Sequence, residues 1–469
     1  MTGKPKKNEE RTVTIDRLVY GGEGIASSDG FKIFVPDVAP GDEALVQIRR
    51  VKSKYAEGIV KEIVKPSPLR IEPRCKHFST CGGCKWQFLA YDEQLKVKEQ
   101  QVRDSVERLA GLSGDLVLPI VPNDSPWFYR NKMEFSFGIS VPPDSFEAGE
   151  AQLGFYPPGY HYEVFDLTEC FLQSEWAVEV VKKVRAFVRE HKIPVYNSHT
   201  HEGLLKTLTV REGKNTKERM IILTTSTGLF EQKEAFIDLF ASDSSVTSLY
   251  WNSVYQIAGQ PTWVEQNLLA GKASLTEVLE LENGSRLEFD ILPQAFFQTN
   301  TLQAQKLYSK ALELAGLTGE EIVYDLYCGT GTIGLFCAHK AKQVLGIEVN
   351  ESAVESAQSN ALKNGIKNIR FYLGSVEQRL NELASMGADG RPDVVIVDPP
   401  RAGLGEKVVA DCVAFEAKKI VYVSCNPTTM ARDLKQFAEM GYETQSVQPV
   451  DMFPQTHHVE CVCLLTKGG

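Results

Sequence analysis

A chain of 469 residues is too long for one ordinary core, so two to four domains of roughly 150 residues each are expected. It is 43% hydrophobic and 24% charged, and no apolar run is long enough to span a bilayer, which excludes membrane-spanning helices. The net charge of -10 argues mildly against a nucleic-acid binder, but residues 1–74 carry 14 Lys and Arg against 11 Asp and Glu, and a local basic surface outweighs the sum.

The opening "MTGKPKKNEE" is polar and has no apolar core for a signal peptide, so a cytoplasmic location is expected. Thiols stay reduced there, and the 10 cysteines point to metal or catalysis before disulfides. From Arg11 to Val64 short alternating stretches such as "RTVTIDRLVY" are separated by Gly-rich turns, which predicts a small β-barrel. "IRRVKSKY" sets basic residues beside a tyrosine, suited to phosphate contact and base stacking. A generic β-module with solvated lysines fits that stretch equally well.

"KPSPLRIEPRC" reads as a Pro-rich linker. Next comes "CKHFSTCGGCKWQ", with Cys75, Cys81 and Cys84, and Cys170 in "DLTECFLQ" as a fourth thiol. Four thiolates suit zinc or an iron–sulfur cluster. "YDEQLKVKEQQVRDSVERLAGL" predicts a helix ended by its glycine. Val117 to Leu287 mixes strands and helices, including "NKMEFSFGI", "AQLGFYPPGYHYEVFD", "SEWAVEVVKKVRAFVREH", "LKTLTVREG" and "RMIILTTS". From Glu288 apolar strands alternate with helical stretches, the pattern of a doubly wound parallel sheet. The fold class is therefore α/β, in three units: 8–66, 67–287 and 288–469.

In the last unit "YDLYCGTGTIGL" places Gly329, Gly331 and Gly334 in a G-x-G-x-x-G array between strand and helix. Glu348 ends the next strand, where an acid can accept from ribose hydroxyls. Together they indicate an adenosine-containing cofactor, either NAD or S-adenosylmethionine. "VIVDPPRAG" separates the two: an Asp-Pro-Pro loop closing the fourth strand is a feature of methyltransferases acting on planar atoms of bases. "VYVSCNP" delivers Cys425 to the carboxyl end of a strand, because Asn-Pro must turn there. Ligands bind at such ends in open α/β sheets, although a buried free cysteine is the bland alternative.

These motifs resemble the RNA (uracil-5-)-methyltransferase family, from about Arg11 to the C-terminus. The resemblance implies a TRAM-like RNA-binding barrel, a central α+β domain with an iron–sulfur cluster, and a class I methyltransferase domain. It carries a 4Fe-4S cluster onto Cys75, Cys81, Cys84 and Cys170. It carries the S-adenosylmethionine contacts onto Gln298, Tyr327, Glu348 and Asp398, the nucleophile onto Cys425 and the base onto Glu460. Ser79 stands where the family has glycine and Thr299 where it has valine. The cluster and the length favour the 23S ribosomal RNA branch over transfer RNA. A monomer without membrane contact is expected.

The implied chemistry answers why a thiol sits at a strand end. Uracil C5 is a poor nucleophile until a thiolate adds at C6. The site should therefore lower the Cys425 pKa or deprotonate it on binding. A base must afterwards remove the C5 hydrogen, the role implied for Glu460. The target uridine must leave any stack, and Phe296 or Phe297 is the candidate to receive it. A non-catalytic RNA-binding scaffold or an NAD-linked oxidoreductase would have no use for Cys425 and Glu460 together.

Overall fold

The computed structural model describes residues 3–139, 149–159, 163–256, 259, 261–384 and 391–468. Residues 160–162, inside the predicted "AQLGFYPPGYHYEVFD" stretch, lie outside the described residues. Strands β1 (Glu10–Leu18), β2 (Gly24–Ser28), β3 (Phe31–Val35), β4 (Glu43–Val51) and β5 (Tyr55–Lys65) close a barrel in the order β1-β2-β3-β5-β4. Along β1 buried and exposed residues alternate, so Val13 and Ile15 point inward, as a period of two requires.

The Pro-rich segment after β5 is docked rather than free. Arg70 pairs with the fully buried Asp42 at 2.7 Å and lies over the Phe88 ring. Asp42 also accepts from the backbone N–H of Ala39 and Ser67. Leu18 and Ala39 of the barrel share a small core with Trp86, Phe88 and Leu89 of the Cys-rich segment. Composition could not show this, because the partners are distant in sequence.

Helix α1 (Tyr91–Ser105) runs into a π-helical stretch, Val106–Ala110, before Gly111 ends it in the left-handed region. The central unit continues through β6 (Lys132–Ile139), β7 (Ala151–Phe155), β8 (Phe165–Asp166), α2 (Glu175–Glu190), β9 (Leu205–Glu212), β10 (Arg219–Ser226), α3 (Lys233–Asp238), β11 (Val246–Tyr255) and β12 (Trp263–Gly271). Its sheet has the order β12-β11-β10-β9-β6-β7-β8. The hairpin of β13 (Leu275–Glu280) and β14 (Arg286–Ile291) crosses the expected 287/288 boundary. Its buried Leu275, Leu279, Phe289 and Ile291 pack into the core of the last sheet.

That sheet follows α4 (Thr301–Ala315). It comprises β15 (Ile322–Leu326), β16 (Gln343–Glu348), β17 (Ile369–Leu373), β18 (Val394–Val397), β19 (Lys419–Ser424), β20 (Tyr442–Val450) and β21 (Glu460–Lys467). Its helices are α5 (Thr332–Ala338), α6 (Glu351–Lys363), α7 (Val376–Ala384), α8 (Gly405–Ala414) and α9 (Pro427–Glu439). The strand order is β17-β16-β15-β18-β19-β21-β20, parallel except for β21, which is antiparallel to both its neighbours. Helices cover both faces, so β18 and the interior of β19 are buried on both sides: Val421 and Val423 face one core, Ile420 and Tyr422 the other. The order reverses between β15 and β18, the switch point at which ligands bind in such sheets. Among the described residues no helix is long and apolar enough to cross a membrane.

Candidate active site

The glycine loop begins with Tyr327, a non-glycine residue at φ 64°, and continues through Gly329 at φ 54° and Gly331 at φ 80° into α5. A Cβ on Gly331 would stand 2.8 Å from the Phe371 ring, so no side chain fits there. Glu348, at the end of β16, accepts from Gly329 N–H at 3.0 Å and from the N–H groups of Val349 and Asn350. A carboxylate has about four lone-pair sites, so these three amides leave about one free. Gln298 lies just before α4, its carbonyl held by Asn131 Nδ2 at 2.8 Å.

Asp398 follows β18 across the switch point, and desolvation by the cleft walls pushes its carboxyl up to about 7. The loop after it is clamped onto α9. Asn426 Nδ2 and Thr429 Oγ1 both donate to Arg401 O at 3.2 Å, and Arg432 donates to Ala402 O. The fully buried Asp433 accepts from Leu404 N–H and from the Tyr422 hydroxyl, both at 2.8 Å. These contacts leave the Arg401 side chain exposed at the mouth of the site.

Cys425 is the first residue past β19. Asn426 caps α9 by accepting from Thr428 N–H, and Pro427 occupies the first turn. The ladder pairs Ser424 with Cys461, so Cys425 and Glu460 are the next facing positions of β19 and β21. Glu460 is 4% exposed, and its carboxyl is pushed up to about 8, first by burial and then by the Asp398 charge, against Arg401. Cys425 is pushed up to about 11 by burial, with Glu460 and Asp398 adding and Arg401 opposing. The resting site thus disfavours the thiolate, first because burial strips it of water and then because two acids face one exposed cation.

The segment entering Glu460 is held by a buried polar network. Lys98 Nζ of α1 lies 2.5 Å from Asp451 Oδ1, both fully buried, and also donates to Phe453 O. The Tyr91 hydroxyl donates to Asp451 Oδ2 at 2.7 Å. Gln94 and Gln455 exchange hydrogen bonds, and Lys85 N–H, next to Cys84, donates to Gln455 O. His457 and His458 follow, pushed down to about 4 and about 3 by burial and nearby cations, so both are neutral. Arg401, the histidine pair and this network escaped the sequence reading. The "HH" beside Glu460 was a local signal, whereas the partners of Asp451 lie some 350 positions away.

Cys75, Cys81, Cys84 and Cys170 line one cavity of about 120 Å³ with Phe78, Met133 and Phe171. Burial raises all four thiols, and Cys75, Cys81 and Cys84 are each raised further by the charge of Cys170. Gly83 N–H donates to Cys81 Sγ at 3.4 Å. Ser79 adopts φ 74°, the left-handed conformation that a glycine takes without strain. Among the described residues no three His, Cys, Asp or Glu side chains converge on one ion-sized position. Phe297 packs against Phe289 in the core, which removes it as a stacking platform, while Phe296 is 69% exposed. A larger cavity, about 640 Å³, opens at the opposite end of the last sheet and touches none of these residues.

A family model described as tRNA (uracil-5-)-methyltransferase matches residues 263–468, and the TRAM domain model matches 4–61. An uncharacterized RNA methyltransferase of Clostridium tetani is 38% identical over 465 residues, 99% of this chain and 98% of its own. The chain belongs to the RNA (uracil-5-)-methyltransferase family. Another relative, an uncharacterized RNA methyltransferase of Bacteroides thetaiotaomicron, is 40% identical over 95% of this chain and 98% of its own. The Pyrococcus abyssi tRNA (uracil-54, C5)-methyltransferase, solved with S-adenosyl-L-homocysteine, superposes with a TM-score of 0.74 at 30% identity. That match covers 97% of this chain and 100% of the other. Membership makes this protein an S-adenosylmethionine-dependent enzyme acting on RNA, and the expected barrel-plus-α/β architecture stands.

Proposed function

We propose that this enzyme methylates uridine C5 in 23S ribosomal RNA through a covalent adduct at Cys425. The observation carrying this reading is the placement of Cys425 opposite Glu460 at the carboxyl end of β19, with Asp398 and Arg401 close by. Gln298, Tyr327, Glu348 and Asp398 would hold S-adenosylmethionine, which supplies an electrophilic methyl group to the activated C5. On RNA binding Cys425 gives its proton to solvent water, and the thiolate sulfur bonds C6. The C5–C6 π pair moves toward O4 and makes C5 nucleophilic. After transfer, the Glu460 carboxylate takes the C5 hydrogen as a proton. The C–H electron pair re-forms the double bond and expels the thiolate. Phe296 stacks on the extruded base.

The four-thiol cavity supports a 4Fe-4S cluster. Four partly buried thiols line one cavity, and buried thiolates need the positive charge that the irons would supply. The cluster's place is structural, since Lys85 ties that segment to the Glu460 loop. It also favours ribosomal RNA, while the likeness to a transfer-RNA enzyme supports the second reading, uridine in transfer RNA. We take 8–66, 67–287 and 288–469 as the RNA-tethering, cluster-bearing and catalytic units, working as a cytoplasmic monomer. Mapping 5-methyluridine in ribosomal and transfer RNA from cells with and without the protein tests the substrate. Loss from 23S RNA supports the first reading, loss from transfer RNA alone the second, and no loss from either sinks both.

A further inference from the structure

The barrel reaches the reactive chamber itself. Its β1–β2 turn is tight: Val19 N–H donates to Glu23 O and Gly22 N–H to Val19 O. Gly22, at φ 90°, backs onto His457, whose Cβ lies 3.3 Å from where a Gly22 Cβ would stand. The buried Trp86 indole N–H points at Gly22 O from the other side, 3.4 Å away. Arg17 of β1 pairs with Asp104 of α1, which holds the strand feeding the turn.

This anchoring presents Tyr20, whose ring stands edge-on to His457 at 6.1 Å. Tyr20 is partly exposed. It is close enough to Cys425, Arg401 and Glu460 to feel the charge of all three. Burial, then Cys425, pushes the phenol up to about 12, so it remains a donor.

We propose that Tyr20, delivered by the barrel, touches the target uridine and donates a hydrogen bond to a carbonyl of its ring. This rests on the reading of Cys425 as the nucleophile at uracil C6. A base bonded to Cys425 would lie within the electrostatic range of this hydroxyl, three residues of chain from Glu460 by way of His457, and uracil offers acceptors at O2 and O4. Thiolate addition moves charge onto O4, so a donor there gains strength as the reaction proceeds. The barrel then contributes to chemistry as well as to RNA capture.

The test is single-turnover methylation by full-length Tyr20→Phe at saturating RNA, with RNA affinity measured separately by anisotropy. A hydrogen bond to a charged group is worth about 10- to 100-fold, so the chemical step should slow by that factor while RNA Kd stays within about twofold. Gly22→Ala, which pushes the turn off His457, should slow the same step. A full rate for Tyr20→Phe at saturating RNA, with or without weaker binding, overturns the proposal and leaves the barrel a tether. Wild-type protein that forms no 5-methyluridine on either RNA would overturn the underlying reading and this contact together.

Discussion

Glu460→Gln is expected to stabilise the protein in a pH-dependent way while disabling it. In the native state the buried carboxyl ionises near 8 rather than 4.5. The folded form therefore binds the proton more tightly than the unfolded form, and stability falls as pH rises from about 4.5 through about 8. At about 1.4 kcal/mol per pH unit, the gap between 4.5 and about 8 caps the penalty at about 5 kcal/mol. Glutamine has nearly the same shape and never ionises. The variant should match wild type near pH 4.5 and exceed it by about 2–5 kcal/mol at pH 9. Repulsion from the Asp398 carboxyl is one source of that penalty and is already contained in it. Urea unfolding of both proteins at pH 4.5 and pH 9 measures the difference. A gain of equal size at both pH values, or none at pH 9, refutes the argument that Glu460 is held as a strained acid. The same protein should stall as a labelled, methylated RNA adduct that survives a denaturing gel. Loss of a general base costs about 10²–10⁴-fold, so the adduct should persist.

Cys425→Ala should bind RNA yet form no adduct and transfer no methyl, failing earlier in the cycle than Glu460→Gln; residual methylation would remove the covalent mechanism. Wild-type turnover should rise with pH through about 8, because Glu460 must be ionised to take the C5 hydrogen, and a kcat profile flat from pH 7 to 9 would contradict this. Lys98→Met strands the buried Asp451 and should cost about 3–5 kcal/mol in chemical unfolding; Lys98→Met with Asp451→Leu should recover most of it. Anaerobically purified protein should be brown with about four irons per chain, and colourless protein with stoichiometric zinc would replace the cluster by a single ion.

The site was most legible where its chemistry and backbone are written in the same few residues. "SCNP" places a thiol, a helix cap and a turn together, and "DPPR" sets an acid at a strand end. Glu348 was found by its spacing from Gly329, although three backbone amides already occupy most of its carboxylate. Ser79 looked like a departure, yet its backbone takes the conformation that a glycine would. Illegible were the features set by distant partners. The β13–β14 hairpin alternates like a central-domain strand pair, and only packing against α4 and the last sheet assigns it. Nothing in "DRLVYGGEG" announces that Tyr20 will stand against His457, more than four hundred residues later. The "KPSPLR" stretch has a linker's composition, but Arg70 closes onto Asp42.

The antiparallel strand β21 has a consequence for timing. It forms a hairpin with β20 and joins the sheet only by laying itself along β19. The nucleophile thus belongs to the parallel sheet, while the base belongs to a separately docked hairpin. Under the proposed cycle, a molecule with that hairpin lifted away could still attack RNA and accept a methyl group. It could not let go, so local fraying would turn each such copy into a permanent roadblock on its own substrate. The clasp at the hairpin's tip, from Asp451 to Gln455, therefore acts as a safety catch against self-inflicted arrest.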